Sequence, residues 1–222
     1  TQMVVGRVYD YSHSVGRQGM GFSNAVAAAL GEDNKVYVLN RGSEAVTAVP
    51  WDRTGRGSKV SILQIGTEPE DEEFLFEFGK YGSASGEFIW PAGLALDKSE
   101  NIYVTDEWLN RISVFNPKGE LLKEWGEEGQ TPGYFNSPSG IVFDAEQNLF
   151  IVDSRNHRIQ KFTKDGIFLT TWGNYGSGSG DFDTPWGITI DSEGFIHVVD
   201  ANNHRIQKFT SEGNLVSTLG QL

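Results

Sequence analysis

The chain has 222 residues, with 18 lysines and arginines against 30 aspartates and glutamates and a formal net charge of −12. That balance argues against a surface that grips phosphate backbones or an anionic bilayer, so neither nucleic acid nor membrane insertion is expected. The 27 glycines and 38% hydrophobic content indicate a turn-rich, folded all-β domain, and the absence of cysteine excludes disulfides, thiolate metal sites and thiol nucleophiles.

In chain order, residues 3–9 read as one strand, followed by a loop to Phe22. Residues 22–30 and Lys35–Asn40 supply two more apolar runs. A stretch rich in Gly, Asp, Glu and Arg covers residues 50–73 and reads as an insertion. From Phe88 onward a repeat takes over. Pro91, Pro138 and Pro185 stand 47 residues apart, as do Asp106, Asp153 and Asp200, and Gly126, Gly173 and Gly220. Each copy holds four runs of five or six residues rich in Ile, Val, Phe, Tyr and Leu, separated by turn signals such as Pro117-Lys118-Gly119 and Lys164-Asp165-Gly166. Four strands per unit, repeated with a period in the forties, predict the blades of a β-propeller. The blades fall at about 22–79, 88–126, 135–173 and 182–220, in one domain covering 1–222.

The motif Pro-x-Gly-[Ile/Leu]-x-[Leu/Phe/Ile]-Asp, followed by Asn-x-[Tyr/Phe]-[Val/Ile]-x-Asp and then His-Arg-Ile-Gln-Lys-Phe, resembles the NHL-repeat β-propeller family. The likeness is close over 88–220 and looser over 22–79. It implies four-stranded antiparallel blades around a central channel, most often six of them. The four blades and the extra N-terminal strand therefore predict part of a six-bladed ring that lacks its last one or two blades. A four-bladed ring and a ring shared by two chains are the alternatives, and an open ring would invite self-association.

Recurrence separates scaffold from candidate site, because a catalytic or binding residue is normally unique. Asp106, Asp153 and Asp200 read as carboxylates that accept turn N–H groups. His157 and His204, with Arg111, Arg158 and Arg205, read as blade scaffold. The glycine–serine run at 176–180 reads as a blade connector, since no Gly-Lys-[Ser/Thr] ending or helix follows it. Trp125 and Trp172 recur and are expected between blades. Trp90, Trp108 and Trp186 do not recur, sit in loops or at a strand start, and are the candidate ligand or partner-binding residues. The acidic run 68–73 lacks the ligand spacing of a dedicated calcium loop and reads as a solvated surface.

These readings favour a non-catalytic binding or assembly module for a protein, peptide or small ligand. The alternative is a metal-dependent lyase or hydrolase resembling the peptidyl-α-hydroxyglycine amidating lyases. That likeness implies zinc-binding histidines after the proline that opens each blade, where this chain has Val26, Ala92, Ser139 and Trp186. No catalytic or metal-ligating set is therefore assigned, and neither calcium nor zinc is expected as a cofactor. The composition leans toward an extracytoplasmic bacterial or archaeal protein.

Overall fold

The computed structural model describes residues 24–42, 57–66 and 71–220. These form four antiparallel four-stranded sheets arranged as propeller blades about a common axis. Blade one holds β1 (Ala25–Leu30), β2 (Lys35–Asn40), β3 (Lys59–Gln64) and β4 (Glu73–Phe78). Blade two holds β5 (Pro91–Leu96), β6 (Ile102–Asp106), β7 (Arg111–Phe115) and β8 (Leu121–Trp125). Blade three holds β9 (Pro138–Phe143), β10 (Asn148–Asp153), β11 (Arg158–Thr163) and β12 (Phe168–Trp172). Blade four holds β13 (Pro185–Ile190), β14 (Ile196–Asp200), β15 (Arg205–Phe209) and β16 (Leu215–Leu219). The strands in each blade are meanders in sequence order.

Alternation along each strand builds the core. In β6, Ile102 and Val104 turn toward blade one, while Tyr103 packs toward blade three. Every inner blade is thus apolar on both faces, and its residues fill two inter-blade cores. The first core joins blades one and two through Tyr37, Leu39, Ile62 and Phe115. The second joins two and three through Ile112, Phe135 and Phe162, and the third joins three and four through Val152, Ile159 and Phe209. Trp125 stacks near Phe135 and Phe162, and Trp172 near Phe209, so both tryptophans lie between blades.

The innermost strands β1, β5, β9 and β13 pack side by side around the axis. They approach so closely that a Cβ on Gly93 would stand 2.4 Å from the Ser139 carbonyl oxygen, and one on Gly140 2.7 Å from that of Trp186. This explains the glycine of the Pro-x-Gly motif: no side chain fits between neighbouring inner strands there.

The strand expected at 3–9 lies outside the described residues, as does Phe22. The 50–73 stretch is not one loop, because β3 lies within it. Val60 and Ile62 of that strand are buried against blade two. Most of the added length falls between β2 and β3, at residues 41–58, where blade two has only residues 107–110 between the corresponding strands. The acidic run 68–73 is described only from Asp71 onward. Among the described residues no helix is long and apolar enough to cross a membrane.

Candidate functional site

The first strand of each blade begins where the second ends, since Pro91 pairs with Asp106, Pro138 with Asp153 and Pro185 with Asp200. One end of the central groove is therefore ringed by the residues around these pairs. The recurring aspartates are committed there. Asp153 accepts from the Asn136 N–H (2.7 Å), the Arg158 Nε (2.8 Å), the Asn156 amide (2.9 Å) and the Gln160 amide (3.0 Å). Burial raises its carboxyl, and these donors counter the rise. Asp200 accepts the equivalent set from Asp183, Arg205, Asn203 and Gln207. Asp106 takes the N–H groups of Ile89, Trp108 and Leu109.

The arginines lock the connectors between blades. Arg158 donates to the carbonyls of Gln130, Thr131 and Tyr134. Arg205 does the same to Ser177, Gly178 and Asp181, and Arg111 to Ala84 and Glu87. The 176–180 run is thus held by its carbonyl oxygens, the opposite polarity to a phosphate cradle. His157 Nδ1 accepts the Thr184 N–H at 3.1 Å and its ring lies against Tyr175, while His204 is exposed.

Residues that break the repeat gather at the same end of the groove. The position after the aspartate holds Arg41, Glu107, Ser154 and Ala201 in the four blades. Arg41 lies with its guanidinium 4.7 Å from the centre of the Trp90 ring, and its Nε donates to the Pro91 carbonyl at 3.0 Å. Its Nη2 reaches Glu107 at 3.6 Å, with only 12% and 11% of the two side chains exposed. That distance makes an ion pair but no hydrogen bond, and Glu107 Oε1 is buried without a hydrogen-bond partner among the described residues. Burial pushes the Glu107 carboxyl from 4.5 up to about 7; Arg41 opposes the rise and Asp106 adds to it. Burial also lowers Arg41, so dehydration weighs on both partners.

Ser139 joins the next two blades, sharing a hydrogen bond with the Ser154 hydroxyl (2.7 Å) and donating to the Trp186 carbonyl (2.8 Å). The groove below encloses about 520 Å³ between Val26, Ala92, Gly140 and Trp186. The three predicted tryptophans are therefore at one end but not equivalent. Trp90 is half-buried under Arg41, Trp186 is 45% exposed on the groove wall, and Trp108 is 69% exposed in the loop between β6 and β7. Arg41 and Glu107 are part of this end and were not among the sequence candidates. Their failure to recur at one blade position is the signal that marks them.

The positions that the lyase likeness would give to zinc ligands do not fit a metal. They hold Ala92, Ser139 and Trp186, and Ser139 is spent on Ser154 and Trp186. Among the described residues no group of three histidine, aspartate or glutamate side chains is placed to hold an ion.

The NHL repeat model matches residues 88–115, 135–162 and 182–209. No curated protein sequence matches the chain. Among solved structures, a streptogramin B lyase aligns at 16% identity over 87% of this chain and 53% of its own, with a TM-score of 0.60. Virginiamycin B lyase from Staphylococcus aureus aligns at 16% identity over 87% and 55%, also at 0.60. The periplasmic gluconolactonase of Pseudomonas aeruginosa aligns at 12% identity over 91% and 59%, at 0.62. The chain spans little more than half the length of these propellers, and at such identities the likeness is one of fold. Three matched repeats, each the first three strands of a four-stranded blade, identify residues 88–209 as NHL repeats of a β-propeller.

Proposed function

We propose that this propeller is a non-catalytic binding module that presents the Trp90–Glu107–Trp186 end of its groove to a protein, peptide or small ligand. The observation that carries the reading is the segregation of residue types. The recurring aspartates accept, and the recurring arginines donate, hydrogen bonds within and between blades. The non-recurring side chains, Arg41, Trp90, Glu107, Trp108 and Trp186, collect at one end. Exposed tryptophans beside a cation and a carboxyl suit an amphipathic peptide, with aromatic anchoring and polar orientation. Peptide display selected on the wild-type chain and counter-selected on a Trp108→Ser/Trp186→Ser chain tests this. Both side chains are exposed, so the variant keeps its fold. Selected peptides should bind the variant at least about tenfold more weakly, a loss of about 1.4 kcal/mol. Equal binding to both chains contradicts the reading.

A second reading rests on Glu107. A carboxyl that titrates near neutrality beside a groove has the protonation behaviour of a general acid or base, and the similar folds include lyases and a lactonase. On this reading, streptogramin B or a gluconolactone would be turned over, and Glu107→Gln would abolish the turnover.

A further inference from the structure

We infer that a cup on blade three, at the same end of the blades as the tryptophans, binds a carboxylate carried on an otherwise uncharged peptide. The peptide frame rests on the reading proposed above, whereas the preference for a carboxylate stands on the cup alone.

The cup encloses about 530 Å³ between the β10–β11 turn, the end of β12 and the connector from blade two. Its wall holds Arg155, His157 and Arg158 and, among the described residues, no aspartate or glutamate. In a chain with 30 acidic and 18 basic side chains this is a local inversion of charge.

The repeat shows that the inversion is particular to blade three. One repeat earlier, the positions of Thr171, Asn174 and Tyr175 hold Glu124, Glu127 and Glu128, and that of Arg155 holds Trp108. One repeat later, the position of Arg155 holds Asn202. Blade three has lost three carboxylates and gained a guanidinium, a change that the shared blade packing does not require.

The donors of the cup are free. Arg158 is spent on Asp153 and on the carbonyls of Gln130, Thr131 and Tyr134. Arg155 is exposed, and its guanidinium makes no hydrogen bond or ion pair among the described residues; it acts on the Glu107 carboxyl only through space. His157 Nδ1 accepts the Thr184 N–H, so the ring proton sits on Nε2, which donates to nothing among the described residues. Tyr175 is 71% exposed with its ring 4.8 Å from that of His157, which sets an apolar wall beside these donors.

This donor set selects the anion. A single free guanidinium offers a planar fork that matches a carboxylate through two parallel N–H···O bonds, and the imidazole N–H adds a neutral donor. The net charge of −12 repels polyanions from the molecule as a whole, which disfavours nucleic acid and runs of acidic residues. A lone carboxylate on an uncharged frame escapes most of that repulsion, and a ring or aliphatic chain beside it covers Tyr175.

Titrations followed in ¹H–¹⁵N spectra test this with two probes. N-acetylphenylalanine offers a terminal carboxylate, and the capped dipeptide acetyl-Glu-Phe-amide offers a side-chain one. At least one should shift the amide signals of Gly173, Asn174 and Tyr175, and the tighter of the two identifies the source of the carboxylate. The matched amides, N-acetylphenylalaninamide and acetyl-Gln-Phe-amide, should bind at least about tenfold more weakly. Arg155→Gln should weaken the acid at least about tenfold, and Asn174→Glu/Tyr175→Glu, which restores two carboxylates of blade two, should abolish its binding. All three side chains are exposed, so melting temperatures within about 2 °C of the wild type separate lost binding from lost fold. Unmoved cup signals with both acids, equal binding of acid and amide, or binding untouched by Arg155→Gln overturns the inference. Shifts confined to the Trp108 and Trp186 indoles also overturn it, while leaving the groove-end reading in place. An acid seated in the cup of a chain on which peptide display fails supports the carboxylate site and refutes only that reading.

Discussion

Replacing Glu107 by glutamine should flatten part of the dependence of stability on pH. In the folded chain burial holds this carboxyl at about 7, against 4.5 for the ordinary side chain. The folded state therefore binds the proton more tightly than the unfolded state. The stabilisation is complete below pH 4.5 and is lost as pH rises through 7, above which no more is lost. The full shift corresponds to about 3 kcal/mol at about 1.4 kcal/mol per unit. Contact of the pair with solvent reduces this to about 1–2 kcal/mol. Urea unfolding at pH 5.0 and 8.5 measures it. The wild type should lose about 1–2 kcal/mol more than Glu107→Gln across that interval, since every other titrating group is common to both chains. Parallel profiles for the two chains would refute the claim that Glu107 is buried with only a partial partner.

Asp153→Ala leaves Arg158, Asn156, Gln160 and the Asn136 N–H without their shared acceptor, and should cost about 3–5 kcal/mol in urea unfolding. Gly173→Ala places a methyl 2.5 Å from the Phe182 ring at a φ of +98°, whereas Gly194→Ala at +87° meets nothing within 4 Å. The first should lose about 2 kcal/mol or more and the second about 1 kcal/mol, a difference that calorimetry resolves. Trp108→Ser should change stability by no more than about 0.5 kcal/mol, because the ring is exposed, and its unfolding midpoint checks this.

The blade architecture was legible because each inter-blade core demands the same side chain at the same step. Phe115, Phe162 and Phe209 fill one slot in three successive cores, and a 47-residue spacing records it. Blade one was harder to read. Asn40 replaces the aspartate there, and the long separation of β2 and β3 in sequence hides β3 inside a stretch that looks like an insertion. The candidate site was legible only in its aromatic part. Trp90, Trp108 and Trp186 stand out against the repeat, whereas Arg41 and Glu107 look like two ordinary surface charges 66 residues apart. Only the packing of β1 and β2 against β5 brings them together over Trp90.

The most direct test of the central claim uses the tryptophans as reporters. In a ¹H–¹⁵N spectrum, a peptide selected on the wild-type chain should shift the indole signals of Trp90, Trp108 and Trp186. It should leave those of Trp125 and Trp172, which lie between blades, in place. Shifts confined to Trp125 and Trp172, with the groove-end indoles unmoved, would contradict the assignment of that end as the binding surface.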